Sequence, residues 1–172
     1  GFITGHIPVT DIIKYINKNY ISEKFRVFIN SLKNDFNINN PKVAILGLNP
    51  HSGEDGLLGL EEKNIIIPLM DNLNKKSKVF FGPYSSDSFF GLKKYKKFDG
   101  VISFYHDQGL VGFKSISFDY GVNYTSGLPI IRSSPDHGTA FNIAGKGEAN
   151  ELSLLNSILL NIKIFNNRKF YK

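Results

Sequence analysis

The sequence contains no cysteine, no tryptophan and a single methionine among its 172 residues. Without cysteine the chain can form neither disulfides nor thiolate zinc sites, so any metal must be held by histidine, carboxylate or water. Long apolar runs are also missing, since every apolar stretch is shorter than the roughly 18 residues that a membrane-spanning helix needs. The N-terminus lacks the charged and then apolar pattern of a secretory leader. These absences predict a cytoplasmic protein with no membrane partner.

Positive charge exceeds negative charge, with 21 lysines and arginines against 15 acidic residues and a formal net charge of +6. A nucleic-acid-binding protein would cluster its lysines with aromatic residues, and the sequence has one such run, "GLKKYKKFDG" at residues 91–100. This short run is more typical of a helix end or a solvated face, so no nucleic-acid partner is predicted. The excess charge leaves attraction to small anionic substrates open.

Apolar strand-like runs alternate with helical patterns along the chain. The strand candidates are "GFITG", "KVAILGL", "KVFFGP" and "DGVISFY". Helices are predicted from Thr10, from Ser22 and across "EEKNIIIPLMDNLNKK", where Pro68 predicts a kink or an interruption. This alternation predicts an α/β fold with largely parallel strands. Because "GFITG" reads as a strand already under way at Gly1, we expect the chain to be part of a longer protein.

Three of the four histidines follow predicted strands. His6, His51 and His106 each lie at or just beyond the carboxyl end of an apolar run, the place where ligands bind in open parallel sheets. If the three strands are neighbours, three imidazoles can surround one divalent cation and leave a position open for substrate, as in catalytic metal sites. The alternative is that each histidine merely caps a strand or bonds to a nearby backbone group.

The glycine-rich segment at residues 121–150, "GVNYTSGLPIIRSSPDHGTAFNIAGKGEAN", can bring backbone amides close to a phosphorylated ligand. Its spacing matches neither GxGxxG nor a Walker loop, so nucleotide binding stays open on spacing alone. The next stretch, "ELSLLNSILLNIKIF", has apolar residues at helical spacing and predicts a core helix without a catalytic group.

Several motifs together resemble the 4-hydroxythreonine-4-phosphate dehydrogenase family of pyridoxal phosphate biosynthesis. They are "TGHIPV", "GLNPHSGEDGLLGLEE", "GPYSSDSFF", "FYHDQGL" and "VNYTSGLPIIRSSPDHGTAFNIAGKGEA". The resemblance implies a two-domain fold like that of isocitrate and isopropylmalate dehydrogenases, here without its N-terminal half. It further implies a middle, metal-binding and dimerisation domain at residues 1–110 and the C-terminal part of the cofactor domain at residues 111–172.

The implied activity is a metal-dependent oxidation of 4-phosphooxy-threonine by NAD or NADP, followed by loss of carbon dioxide from the β-keto acid. Carried over by position, the metal ligands are His6, His51 and His106, with Zn, Mg or Co as the candidate metal, one per subunit. The remaining implied site residues are Lys114, Asn123 and Arg132 for substrate, and His137, Gly138, Thr139, Ala140 and Asn150 for the cofactor.

Four acidic residues near these positions are less specific candidates. Asp107, which with Lys114 is a candidate catalytic residue, can orient an imidazole or assist proton transfer. Asp87 is a second carboxylate that can approach the site, although a turn-stabilising role is at least as common for such residues. Glu54 and Asp55 can bond to the metal-bound histidines without contacting the metal themselves. Asp55 stands where the family usually has glycine.

The resemblance also implies a homodimer whose metal site lies at the subunit boundary, so that His51 of one subunit meets His6 and His106 of its partner. Two alternatives stay open. The chain can be an inactive metal-binding fragment, or it can belong to a related metal-dependent dehydrogenase or decarboxylase that acts on another phosphorylated hydroxy acid.

Overall fold

Three short parallel strands form the central sheet of the computed structural model, which describes residues 1–139 and 141–169. Their spatial order is β2 (Phe80–Tyr84), β1 (Val43–Leu46) and β3 (Gly100–Ile102). All four residues of β1 are buried, as expected for a central strand covered on both faces. Helices connect the strands, so the predicted α/β class with parallel pairing is confirmed.

The first four residues extend this sheet beside β3. Phe2 forms a parallel bridge with Ser103, Ile3 N donates to Ser103 O (2.9 Å), and Thr4 N donates to Phe104 O (3.1 Å). Thr4 Oγ1 adds a bond of 2.7 Å to the same Phe104 carbonyl. The segment that precedes His6 therefore runs parallel to the strand that precedes His106.

Helix α1 (Lys18–Asn34) covers one face of the sheet with an apolar stripe. Phe25 is fully buried, and its ring stacks on Phe80 of β2 with the centroids 4.6 Å apart. The predicted start at Ser22 was wrong, because Asn17 caps the helix by accepting a bond from Tyr20 N (3.0 Å). The helix predicted from Thr10 is a 3₁₀ segment, Val9–Tyr15.

The segment with Pro68 is helical, and its irregularity lies just before the proline. A π-helical turn, Glu62–Ile66, precedes α2 (Ile67–Asn74). Because proline has no N–H and crowds the preceding turn, a wider turn at this position accommodates it. The short helix α3 (Ser86–Gly91) follows β2, and its Phe89 is fully buried.

After β3 the described chain contains α4 (His106–Ser117), the antiparallel pair β4 (Val122–Tyr124) and β5 (Ser133–Pro135), and α5 (Leu152–Lys169). The predicted final helix is confirmed, but it is only partly a core helix. Ile164 is fully buried, whereas one face remains about half exposed: Leu154, Leu155, Ile158, Leu159 and Ile162. The predicted domain boundary falls within α4 and stays a prediction. Within the part of the chain that the structure describes, no helix is long and apolar enough to span a membrane.

A polar cluster joins α5 and β4 to the end of α1. Arg168 Nε donates to Asp35 Oδ1 (2.6 Å), and the Tyr124 hydroxyl donates to Asp35 Oδ2 (2.5 Å). Arg168 Nη2 also donates to the Tyr124 oxygen (3.2 Å). We call these three side chains the Asp35 network. Burial by itself raises the pKa of Asp35, but the bonds from Arg168 and Tyr124 outweigh it, so the pKa is lowered overall.

The Asp35 network predicts that stability depends on pH at both extremes. Because the folded-state pKa of Asp35 lies below the unfolded value of about 3.9, its contribution is present above that pH and is lost as the pH falls further. Burial, and then the bond to Asp35, raise the pKa of Tyr124 to about 12. That contribution is present below the unfolded pKa of about 10 and is lost as the pH rises towards 12.

Asp35→Asn is expected to lower the free energy of unfolding by about 3 kcal/mol at pH 7, because it leaves Arg168 without its buried carboxylate. Urea titrations between pH 2.5 and 7 would measure both the loss and its pH dependence. Asp71→Asn on α2 is a matched control, since Asp71 is exposed. If wild type and Asp35→Asn lost stability equally on acidification, Asp35 would not be the titrating group.

Candidate metal and substrate site

Two of the three predicted metal-binding histidines lie side by side. His6 follows the N-terminal segment, and His106 opens α4, with three residues between it and the end of β3. The parallel pairing of these two segments brings the imidazoles together. Their ring centroids are 5.0 Å apart with an interplanar angle of 52°. The ring of Phe2 stacks on His106 from 6.0 Å. This arrangement exposes two imidazoles at the carboxyl edge of the sheet, where both can turn a nitrogen towards one cation.

Asp107 contacts the imidazole beside it. Its Oδ1 lies 2.7 Å from His106 Nδ1, and its own side chain is 82% exposed. In the tautomer that donates from Nδ1 to this carboxylate, the lone pair of Nε2 is free to bind a metal. The carboxylate is therefore placed to orient His106, one of the two roles predicted for it.

His51 sits in a different local environment. It begins a run of five residues in left-handed backbone conformation, with φ between 43° and 81° from His51 to Asp55. In the described residues no three histidine or acidic side chains form a group that can hold a metal ion. The structure thus brings His6 and His106 together and does not bring His51 to them within one chain. The metal assignment of all three stays a prediction.

The left-handed run is unusual because four of its five residues are not glycine. L-residues in this conformation cost roughly 1–2 kcal/mol each, so contacts elsewhere must hold the turn. Asp55, with φ 55°, adopts the conformation that glycine adopts most easily, which is consistent with the glycine that the family resemblance implies at this position. Glu54 and Asp55 are exposed, and their roles behind the histidines stay predictions.

Glu62 holds this turn from the helix that follows, and sequence analysis missed its role. Its carboxylate accepts bonds from Asn49 N (2.8 Å) and Asn49 Nδ2 (2.9 Å), although its side chain is almost fully buried. Glu61 accepts a second bond from Asn49 Nδ2 (2.7 Å). The sequence placed both glutamates in a helical first turn, but no local pattern shows that one of them folds back onto Asn49.

Gln108 is a second residue that the sequence did not single out. Its Nε2 donates to Gly47 O (2.5 Å) and to Ser86 Oγ (2.8 Å), while its Oε1 accepts from Phe104 N (2.7 Å). One side chain on α4 therefore ties together the residues that follow β1, β2 and β3. It fixes the edge of the sheet where the histidines emerge.

Asp87 lies near His51, in a small cleft also lined by Ser85, Tyr105 and Gln108. A bond from the Ser85 hydroxyl (2.7 Å), the backbone N–H of Ser88 and the charge of His51 hold the pKa of Asp87 below its usual value. The predicted approach of this carboxylate to a site histidine thus concerns His51. The turn-stabilising role also applies, since Asp87 is in the first turn of α3.

The three predicted substrate residues lie on α4 and the β4–β5 hairpin. Lys114 Nζ is 3.9 Å from Asp136 Oδ2, and its side chain is 39% exposed. Asn123 is exposed at the centre of β4. Arg132 is exposed and donates from Nη1 to Thr125 Oγ1 (2.8 Å). Arg132 is thus bonded to a neutral hydroxyl, and its positive charge faces solvent.

The predicted cofactor loop follows β5 and is exposed. His137 Nδ1 lies 3.0 Å from Gly138 O. Apart from the two chain neighbours of Gly138, none of the described residues places an atom within 4 Å of the position that a Cβ on Gly138 would take. Thr139 is exposed, and Ala140 lies outside the described residues. Asn150 Oδ1 accepts from Leu152 N (2.9 Å) at the start of α5. The nucleotide role of these residues stays a prediction.

Comparison with known proteins gives consistent matches. A family model described as "Pyridoxal phosphate biosynthetic protein PdxA" matches residues 1–161. The 4-hydroxythreonine-4-phosphate dehydrogenase of Bacteroides thetaiotaomicron is 50% identical over 169 residues, which is 98% of this chain and 46% of that protein. The chain therefore spans about half the length of the curated relatives it matches.

Solved structures agree with this match. The crystal structure of 4-hydroxythreonine-4-phosphate dehydrogenase from Klebsiella pneumoniae superposes with a TM-score of 0.78 at 36% identity, over 95% of this chain and 50% of that one. A terephthalate 1,2-cis-dihydrodioldehydrogenase from Burkholderia xenovorans superposes with a TM-score of 0.72 at 27% identity, over 93% of this chain and 51% of that one.

Proposed function

Because the chain belongs to the family of the pyridoxal phosphate biosynthetic protein PdxA, we propose that it provides the metal and substrate site of a 4-hydroxythreonine-4-phosphate dehydrogenase. The reaction oxidises the secondary alcohol of 4-phosphooxy-threonine with NAD, and the resulting β-keto acid loses carbon dioxide to give 3-amino-2-oxopropyl phosphate. The observation that carries the proposal is the pair of adjacent imidazoles, His6 and His106, at the carboxyl edge of the sheet.

The chemistry of the donors fits a divalent metal such as zinc. His6 and His106 supply two nitrogens, and Asp107 orients the second of them. His51 would supply a third nitrogen from the partner subunit of a homodimer, which is consistent with its separation from the other two within one chain. When bound, the cation would act as a Lewis acid towards the substrate oxygen that is oxidised.

The cationic side chains on α4 and the hairpin fit a phosphorylated amino acid. Arg132 can bind a phosphate or carboxylate through two parallel N–H bonds, and Lys114 can bind as a point charge. Asn123 can donate to a hydroxyl or carboxylate oxygen. Lys114 lies on the helix that begins with His106, which relates the predicted anion-binding group to the predicted metal site by one rigid element.

In the proposed enzyme, the loop after β5 binds NAD. The backbone at Gly138 is exposed, and apart from its two chain neighbours the described residues leave its Cβ position open, so a ligand can approach closely. His137 and Thr139 flank it, and Asn150 lies at the start of the helix that follows. We assign these residues to the adenosine side of NAD by family position, together with Ala140.

For the whole protein we propose the two-domain fold of isocitrate and isopropylmalate dehydrogenases, with residues 1–110 in the middle domain and residues 111–172 in the cofactor domain. The half-exposed apolar face of α5 supports this proposal, because such a face needs a covering partner. The half of the relatives' length that lies outside the match is the proposed cover.

A second candidate is a related dehydrogenase that acts on another hydroxy acid. The match to a protein named for terephthalate dihydrodiol oxidation favours it, since a similar fold carries a different substrate name. A third candidate is an inactive metal-binding fragment, which the half-length match favours. Turnover of 4-phosphooxy-threonine compared with that of another hydroxy acid separates the second candidate from the first. Absence of turnover with either substrate separates the third candidate from both.

The decisive experiment is NADH formation by this chain with 4-phosphooxy-threonine, NAD and zinc. We expect turnover that disappears on chelation and returns when zinc is restored, because oxidation of the alcohol would need the cation that the imidazole pair holds. Reduction of NAD with another hydroxy acid but not with this one would favour the second candidate. A folded, zinc-binding chain without any turnover would favour the inactive fragment.

A further inference from the structure

The Asp35 network holds one side of the β4–β5 hairpin. Tyr124 of β4 donates to Asp35 at the end of α1, although the two residues are 89 positions apart in sequence. Arg168 bonds to both of them and also reaches the hairpin loop, where its Nη1 lies 3.4 Å from the carbonyl oxygens of Leu128 and Pro129. The Asp35 side chain is only 5% exposed, so these bonds are formed in a largely dry environment.

The residues on either side of Tyr124 carry the proposed substrate contacts. Because successive side chains of a strand point to opposite faces, Asn123 and Thr125 lie on the face opposite Tyr124. Thr125 bonds to Arg132 twice, through Arg132 Nη1 (2.8 Å) and through its own N–H to Arg132 O (3.0 Å). Because Asn123 and Thr125 adjoin Tyr124 in the strand and Thr125 bonds to Arg132, holding Tyr124 in place also restricts the positions of Asn123 and Arg132.

We propose that Asp35 is a positioning residue for the substrate, acting through Tyr124 on Asn123 and Arg132. The proposal rests on the proposed function, because those two residues contact substrate only if that function is correct. Asp35 itself is buried between α1, β4 and α5, so its action on the substrate is indirect.

The backbone of Asp35 and the ring of its neighbour Phe36 add two further contacts to the network. Asn167 Nδ2 donates to Asp35 O (2.6 Å), so both the carboxylate and the backbone of this residue are held by α5. The ring of Phe36, the next residue, packs edge-on against Tyr124 at 5.6 Å. These contacts set the orientation of Tyr124 as well as its distance from α1. The orientation of Tyr124 in turn sets the orientation of Asn123 and Arg132 on the opposite face of the hairpin.

Tyr124→Phe is the most selective test, because it removes the hydroxyl and keeps the ring against Phe36. We expect the KM for 4-phosphooxy-threonine to rise about tenfold, with kcat and the KM for NAD changed less than about twofold. Loss of folded protein would lower the apparent kcat and leave both KM values unchanged. Asp71→Asn serves as the control for handling and charge, with all three constants expected at wild-type values.

Hydrogen exchange measured on the same proteins separates this proposal from the proposed function. In Tyr124→Phe the amides of residues 122–135 are expected to exchange faster, with those of β1 and β3 unchanged. If the wild-type chain turns over no substrate, the proposed function fails for this chain, and the role of Asp35 towards substrate fails with it. Selective exchange in the hairpin would in that case still support the action of the Asp35 network on the hairpin. Unchanged exchange in the hairpin, or an equal rise in both KM values, would overturn the positioning role of Asp35.

Discussion

Replacing His106 by alanine is expected to lower the affinity of the protein for zinc by more than about 100-fold and to abolish metal-dependent turnover. Loss of an outer residue that orients a metal ligand typically costs 10–100-fold in affinity, and His106 is a proposed ligand itself. The effect should be large because His6, 5.0 Å away, would be left without the imidazole that shares its cation. Isothermal titration of the metal-free protein with zinc would measure it.

His137→Ala is the matched control for this measurement. His137 is an exposed histidine on the loop after β5, and its ring nitrogen lies near Gly138 O. Its removal is expected to leave zinc affinity unchanged. Equal affinity in His106→Ala and wild type would remove the imidazole pair from the proposed metal site.

Mixing two inactive variants tests whether the third ligand comes from the partner subunit. If His51 of one subunit completes the site of the other, a hybrid of His51→Ala and His106→Ala subunits has one intact site. Random reassortment of equal amounts would then restore about a quarter of the wild-type sites, because half of the dimers are hybrids. A site built within one subunit would regain no zinc binding or activity on mixing.

The sequence predicted the place of the histidines better than their grouping. Parallel pairing follows from alternating strands and helices, and it puts residues after each strand at one edge of the sheet. The pairing of residues 1–4 with β3 then makes His6 and His106 neighbours, as the topology suggested. His51 follows the adjacent strand and begins a left-handed run. The glycines, His51 and Asp55 are residue types that tolerate positive φ, but they do not show that five successive residues adopt it.

Two residues that sequence analysis missed bond to partners far away in the sequence. Gln108 bonds to Gly47, 61 positions away, and Arg168 bonds to Asp35, 133 positions away. Each looks like an ordinary polar surface residue in its own segment, because burial and partners exist only in the folded chain. Helix and strand patterns are local, so they predicted most elements and neither of these connections.

Glu62 is another residue whose partner no local sequence pattern shows, and its replacement by alanine is the second substitution expected to have a large effect. Its carboxylate is almost fully buried and accepts from both Asn49 N and Asn49 Nδ2, so it fixes the residue from which the left-handed run of His51 departs. Glu62→Ala is expected to lower the free energy of unfolding by about 3 kcal/mol, since hydrogen bonds to charged groups contribute about 1.5–3 kcal/mol each. Because the run is conformationally costly, its loss of support should also release His51 from its position.

The two consequences can be measured separately. Urea denaturation gives the stability loss, with Glu23→Ala as the control because Glu23 is exposed on α1. Zinc titration at low temperature, where the variant remains folded, should show an affinity at least about tenfold below wild type, as for loss of a residue that orients a metal ligand. Glu62→Gln should have a stability and a zinc affinity between those of wild type and Glu62→Ala, because its amide keeps one acceptor oxygen but turns an N–H₂ group towards the donors of Asn49. Wild-type zinc affinity in a destabilised Glu62→Ala would mean that the turn supports the fold and that His51 does not depend on it.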